Sequence, residues 1–505
     1  MSERAAVRET DATTEPAPRF SDRSTRVWLL TAAVICQFMA AIEGTVIATA
    51  MPTIVSQLGD FHLFSWVFGT YFLTQAVTIP LSGRFADLFG RKPVLFFGLG
   101  LFLAGSTLCG VAPNMVFLIV CRIAQGIGAG AMLPGAQTLI SDIYPPEIRA
   151  KIQGYLSGIW ASAAVGGPLL GAVLVSNLSW RWVFWVNVPL GIAAFTIIAM
   201  MLQERYERRV HQIDYRGAVL MMLGIGLLMF TMIQATTLGM SLFLPLLAVV
   251  AVLLTLLFFQ ERRAPEPIIP LSLWRNRIVA VSTIGCLTVG ATTVASSAFL
   301  PAYIQGVMGY SPMIAGYAVS VTSITWMFGS AAGSKIMLRF SYRLATVIGS
   351  LIVMVGSLIL IALDPSRGPL WAATGTGLIG LGMGLFQNTY FVAAQASVDR
   401  DQRGMATAST LFARILGQTV GTALFGGIVN LGLADRISGN AVNEIMDPML
   451  RANFAPAEFA SLTLAIAEAL HDVYWAAGII VLIGFATTFG LPWNLSPTKG
   501  VRDKS

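Results

Sequence analysis

The sequence predicts an all-α polytopic membrane protein with fourteen transmembrane helices, and three observations lead to this prediction. The 505 residues are 55% hydrophobic and 11% charged, with a mean hydropathy of +0.73, whereas soluble domains carry about 25% charged residues. Long apolar runs recur along the chain and are separated by short charged segments. Lys and Arg are concentrated in alternate segments between the runs, as expected for a multi-pass membrane protein.

The chain is predicted to begin with a disordered cytoplasmic tail, residues 1–26, which is polar and lacks apolar periodicity. The apolar run 27–51 follows. At about 1.5 Å per residue, a helix over this run exceeds the roughly 30 Å hydrocarbon core of a bilayer. Because the run is also too long for the apolar part of a secretory signal, it is predicted to be the first transmembrane helix.

The later spans follow from the apolar runs between charged loops. In chain order, the fourteen predicted spans are 27–51, 63–82, 93–111, 114–140, 152–176, 183–202, 217–236, 240–259, 278–305, 312–334, 344–363, 369–397, 404–433 and 473–493. An even number of spans places both termini on one side of the membrane.

The distribution of the 32 Lys and Arg residues orients these spans. Segments on the side away from the termini contain Arg181, Arg367, Arg436 and Arg451, and two more arginines, Arg122 and Arg414, lie within spans. All the others lie in the tails and loops on the side of the termini, which is therefore predicted to be cytoplasmic. The net charge of +7 then reflects topology and anionic lipid headgroups, and predicts no nucleic-acid partner.

One segment on the outer side, 434–472, is long for a loop. After Pro456, apolar residues recur at helical spacing, at Phe459, Leu462, Ile466 and Leu470. This spacing predicts an amphipathic helix, which either lies at the outer membrane interface or packs on the rim of the bundle.

Motifs of soluble enzymes are absent from the sequence. The stretch GTGLIG at 375–380 matches a dinucleotide-binding pattern only formally, because it lies inside an apolar run with no preceding strand. The four Cys and three His residues show no metal-ligand spacing. The sequence therefore predicts neither an enzyme nor a metal site.

Four other stretches carry specific patterns. GRFADLFGRKP at 83–93 combines glycines, an acid and a basic pair, at Gly83, Asp87, Gly90, Arg91 and Lys92. The other three are AIEGTVIATAMPTI at 41–54, LIVCRIAQGIGAG at 118–130 and GIWASAAVGGPLLG at 158–171.

Together these stretches resemble the signatures of the major facilitator superfamily. The stretch 158–171 resembles the span 5 signature of its antiporters, and the stretch 41–54 is similar to the span 1 motif of its fourteen-span drug:proton antiporters. Leu88 stands where a basic residue is usual, and Glu43 where an Asp is usual. The resemblance implies a major facilitator fold, in which two six-helix bundles enclose a binding site near the midplane. The bundles would span 27–202 and 278–493, with two inserted helices in 203–277 and a cytoplasmic tail at 494–505.

The function that the resemblance implies is proton-coupled multidrug efflux of lipophilic small molecules across the bacterial inner membrane. The partners would be membrane lipid, a small-molecule substrate and a periplasmic adaptor with an outer-membrane channel. The proton would be the coupling ion, without another cofactor. Two alternatives stay open: a dedicated exporter of an endogenous metabolite or lipid, and a transporter-like sensor or scaffold.

Glu43 and Arg122 are the candidate proton-coupling residues, because a charge inside a span is costly and marks a pathway or a relay. Counted from the outer ends of their spans, the two residues lie about 12 and 14 Å deep. They are therefore expected to face each other. The alternative is a static buried ion pair that holds two helices together.

The stretch at 83–93 is a candidate conformational latch. In the family fold, Asp87 would lie beside the start of span 13 near Gly404, where free backbone N–H groups attract an anion. Asp142 would hold Arg91 in the same cluster. The alternative is an acidic loop side chain that is merely solvated.

The resemblance implies that span 5 contacts the C-terminal half of the chain and seals the cavity against proton leak. Gly158, Gly166, Gly167 and Gly171 remove side chains, and Pro168 removes a backbone donor, so the helix can bend and approach a neighbour closely. Simple packing glycines are the alternative.

Aromatic and amide residues on spans 2, 9, 10 and 12 are candidate lining residues of an apolar substrate cavity. They are Tyr71, Gln75, Tyr303, Trp326, Phe386, Gln387, Asn388 and Tyr390, and Arg414 of span 13 is a further candidate for the same cavity. Helix packing is the alternative role for each of them. Because Arg414 adds an unbalanced positive charge to the spans, the sequence does not dictate a cationic substrate.

Overall fold

Long helices form the protein in the computed structural model, which describes residues 23–144, 146–202, 214–265, 267–268, 271–399, 402–434, 445 and 454–492. Every regular element of these residues is helical. Part of the predicted loop 434–472, residues 1–22 and the C-terminal tail lie outside the described residues, and the first helix begins at Arg23, inside the predicted tail 1–26.

The first group of helices, the N-terminal bundle, contains seven helices. They are α1 (Arg23–Leu58), α2 (Phe64–Phe89), α3 (Arg91–Gly110), α4 (Met115–Ile143), α5 (Pro146–Asn177), α6 (Trp182–Trp185) and α7 (Asn187–Met201). In this group α4 packs against α2 and α3, and α1 packs against α4, α5 and α7.

Two further helices, α8 (Tyr215–Ile233) and α9 (Ala235–Arg263), form a hairpin outside the N-terminal bundle. The C-terminal bundle follows with α10 (Arg277–Val294), α11 (Leu300–Ala302), α12 (Pro312–Arg339), α13 (Tyr342–Ile361), α14 (Gly368–Ala396), α15 (Arg403–Ala434) and α16 (Pro456–Thr488). π-Helical turns at Ala295–Phe299 and Tyr303–Val307 flank α11. The helix α8 contacts both α2 and α15, so the hairpin packs against both bundles.

Twelve helices of the described residues are long and apolar enough to cross a membrane. The predicted spans 63–82 and 312–334 correspond to α2 and α12, which are not among these twelve. Both helices are rich in Ser, Thr and Gly, and each packs against a helix of the other bundle, where it contacts protein instead of lipid. The structure confirms a multi-pass all-helical protein, and the count of fourteen spans stays a prediction.

Two connections differ from their predicted form. The helix α2 continues through Gly83 to Phe89, so the turn of the 83–93 stretch is made by Gly90. Gly90 has φ 94°, a left-handed conformation that favours glycine.

The predicted amphipathic helix of the outer segment is the first part of α16, which continues from Pro456 into the last span, so the loop is shorter than 434–472. This part of α16 does not lie flat at the membrane interface, because Ile466 and Leu470 are buried in the bundle.

The two bundles meet tightly at one end, which we call the closed end: the connection 59–63, the turns at 295–307 and the C-terminal part of α15. An aromatic row crosses the seam there, with ring centroids of Phe64 and Phe299 5.6 Å apart and those of Phe299 and Phe425 6.0 Å apart. Gln305 Nε2 donates to the carbonyl of Thr49 at 3.1 Å. These contacts join α1 and α2 to the C-terminal bundle at this end.

Candidate functional site

The structure brings Glu43 of α1 and Arg122 of α4 together in the interior of the N-terminal bundle. Arg122 Nη1 donates a hydrogen bond to Glu43 Oε1, and the exposed fractions of the two side chains are 1% and 0%. Removing two charges from water costs more than their attraction returns unless further hydrogen bonds complete the shell of each group. Such hydrogen bonds surround both side chains.

Arg122 is fixed by three contacts besides Glu43. Its Nε donates to the carbonyl of Val67 at 3.0 Å, and its Nη1 donates to Gln125 Oε1 at 2.7 Å. The guanidinium carbon lies 4.1 Å from the centre of the Tyr71 ring, a cation–π contact. The arginine therefore has one defined position, in contact with α1, α2 and its own helix.

The polar network extends through Gln125 into α3. Gln125 Nε2 donates to Ser106 Oγ at 3.1 Å, and Ser106 Oγ donates to the carbonyl of Phe184 at 3.0 Å. Small residues permit close packing of α4 on α2, because a Cβ on Gly126 would lie 2.5 Å from the carbonyl oxygen of Tyr71. The GIGAG stretch at 126–130 is thus a packing device of α4.

Asn187, the first residue of α7, is a site residue that the sequence analysis missed. Its Nδ2 donates to Glu43 Oε2 at 2.6 Å, and its side chain is completely buried. The two carboxylate oxygens of Glu43 therefore bind different partners, Arg122 and Asn187. The available signal was a single amide in an otherwise apolar predicted span, 183–202.

The predicted latch residues are only partly described. The side chains of Asp87 and Asp142 and the surroundings of Gly404 lie outside the described residues, so their predicted contacts stay predictions. Lys92 Nζ donates to the carbonyls of Leu202 and Ala199 at 2.6 and 3.1 Å. A cation at this position satisfies the free carbonyls at the C-terminal end of α7.

The glycines of α5 face a different neighbour from the expected one. A Cβ on Gly167 would overlap Thr45 Oγ1, and a Cβ on Gly171 would overlap the carbonyl oxygen of Val46, so both face α1 in the same bundle. Gly158 and Gly166 face open space. The expectation that these glycines pack against the C-terminal half is wrong, because each step along a helix turns the side-chain direction by about 100°.

The contact of α5 with the C-terminal bundle is made by its backbone at Pro168. Because proline has no N–H, it leaves the carbonyl of Ala164 without its partner in the helix. Ser323 Oγ of α12 donates to this carbonyl at 2.8 Å, and Ser320 Oγ donates to the neighbouring carbonyl of Val165 at 2.8 Å. The proline thus creates an acceptor that the other bundle uses.

The predicted cavity residues fall into two groups. Tyr71, Gln75, Tyr303, Phe386, Gln387 and Tyr390 are buried, and Trp326 and Asn388 are partly exposed. Tyr390 packs inside the C-terminal bundle, where its hydroxyl lies 3.2 Å from Thr487 Oγ1, and the Tyr303 hydroxyl donates to the carbonyl of Leu363 at 3.4 Å. The structure therefore does not gather the eight residues around one described cavity.

Arg414 of α15 is partly exposed, and no acidic side chain of the described residues forms an ion pair with it. Its Nε has no hydrogen-bond partner in the described part of the chain. The membrane-spanning helices thus hold a neutral pair in the N-terminal bundle and a separate positive charge in the C-terminal bundle.

Comparison with known proteins relates this arrangement to a family. Residues 33–422 match the family model described as the Major Facilitator Superfamily. Multidrug resistance protein 3 of Bacillus subtilis is 35% identical over 397 residues, which cover 77% of this chain and 77% of that protein. The multidrug transporter protein MdtP of the same organism is 31% identical over 523 residues, which cover 94% of this chain and 95% of that protein.

A solved structure shows the same fold. It is a bacterial homologue of the human lysosomal transporter Spinster in an inward-facing, unoccupied conformation. The TM-score is 0.66 at 17% sequence identity, with 93% of this chain and 97% of that chain covered.

Proposed function

Because the chain belongs to the major facilitator superfamily and is a multi-pass membrane transporter, not an enzyme, we propose that it is a proton-coupled exporter of lipophilic small molecules. The two Bacillus relatives are named as multidrug proteins, which supports a broad apolar substrate range. The proposal places the protein in the bacterial inner membrane with fourteen spans and both termini in the cytoplasm. It includes no cofactor besides the proton.

The buried pair of Glu43 and Arg122 is the observation that carries proton coupling. A carboxylate is the group in this network that can gain and lose a proton within the physiological range once its surroundings change. When Glu43 is ionised, the pair is neutral and stays closed around its hydrogen bonds. Proton uptake by Glu43 removes the attraction for Arg122 and releases the guanidinium, which changes the packing of α4 against α1.

The closed end supports an orientation for the described state. The distribution of basic residues supports an outer position for this end. With contacts between the bundles at the outer end, we propose that the space between the bundles opens to the cytoplasm, where an exporter collects its substrate. Export then requires the seam at the closed end to open and release substrate outward. A proton that enters from outside and leaves into the cytoplasm drives the cycle, with about 2.3 kcal/mol for each charge that crosses 100 mV.

The hydrogen bonds between α5 and α12 lie in the half of these helices nearest the closed end. They support the closed state directly, because they join the two bundles. The sealing role expected for α5 is therefore proposed for its backbone at Ala164 and Val165, with its glycines fixing α5 on α1.

Inverted membrane vesicles test this function. We expect an imposed pH gradient, acidic inside, to drive uptake of lipophilic dyes such as ethidium, and a protonophore to abolish the uptake. A panel of dyes with different structures should be transported. Transport of a single compound class would replace the multidrug assignment by a dedicated exporter, and uptake that is independent of the pH gradient would overturn proton coupling.

A further inference from the structure

The side-chain amide of Asn187 forms a hydrogen bond through its nitrogen but not through its oxygen in the described residues. Its Nδ2 donates to Glu43 Oε2 at 2.6 Å, whereas its Oδ1 has no hydrogen-bond partner among the described residues. The side chain is completely buried. An orphaned buried acceptor directly beside a functional carboxylate calls for an explanation.

The other side chains of the hydrogen-bond network, Arg122 and Gln125, offer no free acceptor to a protonated Glu43. Arg122 has donors and no acceptor. Gln125 Oε1 already accepts from Arg122 Nη1, and its Nε2 donates to Ser106. The titratable groups that face the pair from the neighbouring helices are Tyr71 of α2, whose ring covers the guanidinium, and Cys109 of α3, which lies 3.8 Å from Gln125 Oε1. Asn187 is the amide that can accept a hydrogen bond from the carboxyl group.

We propose that Asn187 is a two-way hydrogen-bond switch for the protonation of Glu43, an inference that rests on the proposed function. In the ionised state Nδ2–H donates to Oε2. When a proton binds to Oε2, the amide rotates by about 180° and Oδ1 accepts a hydrogen bond from the new O–H group, because rotation exchanges the positions of the amide donor and acceptor. The proton stays on Glu43, and no other covalent bond forms or breaks.

Protonation of Glu43 affects its hydrogen bonds to Asn187 and to Arg122 differently. A buried hydroxyl without an acceptor is strongly destabilised. Asn187 removes this penalty for the protonated carboxyl group, so α7 stays bound to α1 in both states. Arg122 cannot accept, so it is the partner that proton uptake releases. The amide thereby directs the conformational response to α4.

Infrared difference spectroscopy of the purified transporter in lipid tests the switch. The C=O stretching band of protonated Glu43 is identified on acidification by its loss in Glu43→Gln. In Asn187→Leu, which keeps a similar volume without hydrogen bonds, we expect this band to shift to higher frequency. Proton-driven efflux should fall about tenfold, because one hydrogen bond to a charged group is lost.

Gln37→Leu is the matched control. Gln37 also carries a buried side-chain amide, but it lies in α1, and its Oε1 accepts a hydrogen bond from Trp160 Nε1 at 3.1 Å, away from the pair. We expect this variant to leave the Glu43 band unchanged.

A second measurement needs no variant of Asn187. In wild-type protein with ¹³C-labelled asparagine side chains, an amide C=O band should move to lower frequency on acidification and should stay fixed in Glu43→Gln. An unshifted Glu43 band in Asn187→Leu, or a fixed amide band in the wild type, overturns the switch while leaving proton coupling intact. Full pH-driven efflux in Glu43→Gln overturns the proposed function instead.

Discussion

Ser323 of α12 donates a hydrogen bond to the carbonyl of Ala164 of α5, the acceptor that Pro168 leaves without a helical partner. The proline of α5 therefore does more than bend a helix, because it supplies a polar contact between the two bundles. This contact adds a directional bond to the aromatic row at the closed end.

Ser323→Ala is expected to weaken the closed end. One buried hydrogen bond contributes about 1 kcal/mol, so the ratio of closed to open protein should fall roughly fivefold. Distances between spin labels across the closed end measure this ratio. Ser334→Ala is the control, because the Ser334 hydroxyl donates to Ser330 within its own helix. Equal closed populations in Ser323→Ala and Ser334→Ala would show that the bond does not hold the bundles together.

Gly171→Ala is expected to destabilise the N-terminal bundle. The added Cβ would overlap the carbonyl oxygen of Val46 and lie 2.5 Å from Thr49 Oγ1, so α5 and α1 must move apart. Overpacking of this kind lowers the free energy of unfolding by about 1–3 kcal/mol. We therefore expect a lower melting temperature in detergent and a lower export activity. Gly166→Ala on the same helix enters open space and should behave as wild type. Equal stability of the two variants would contradict the described packing of α5 on α1.

Arg122→Lys is expected to lose coupling even though it keeps the positive charge. Lysine cannot reproduce the Nε hydrogen bond to Val67 together with the contacts to Glu43 and Gln125. Proton-driven efflux should fall at least about tenfold, whereas downhill substrate exchange should persist. An unchanged dependence of efflux on pH would mean that the pair does not act through this geometry.

Asp87→Asn is expected to favour the proposed cytoplasm-open state. The proposed latch joins the two bundles at the end opposite the closed end, so removal of its charge weakens the outward-open state. Labelling of single cysteines placed in the central space, from each side of the membrane, measures the two populations. An unaltered ratio, with Asp60→Asn at the closed end as the charge control, would reject the latch.

The ion pair could be predicted from the sequence because charges within apolar runs are rare and their depth follows from residue counts. Asn187 could not be predicted in this way. A neutral amide in an apolar run is common in helix packing, and its partner depends on how α7 is rotated against α1.

The neighbours of α5 show the same limit. Ala164 and Gly167 lie within one turn of α5, yet Gly167 faces Thr45 of α1 while the carbonyl of Ala164 accepts a hydrogen bond from Ser323 of α12. Sequence spacing identified the small residues and the proline, but only the rotation of the helix decides which bundle each of them contacts. The state of the closed end is likewise a property of packing between bundles that a single sequence does not specify.

Substrate-dependent proton flux in proteoliposomes tests the central claim most directly. Wild-type protein and Glu43→Gln are reconstituted at equal density, a lipophilic substrate gradient is imposed, and the internal pH is followed with a trapped dye. The account predicts substrate-driven proton movement in the wild type, and in Glu43→Gln no proton movement but continued substrate exchange. Proton movement in Glu43→Gln at the wild-type rate would contradict the claim that this carboxylate couples proton to substrate.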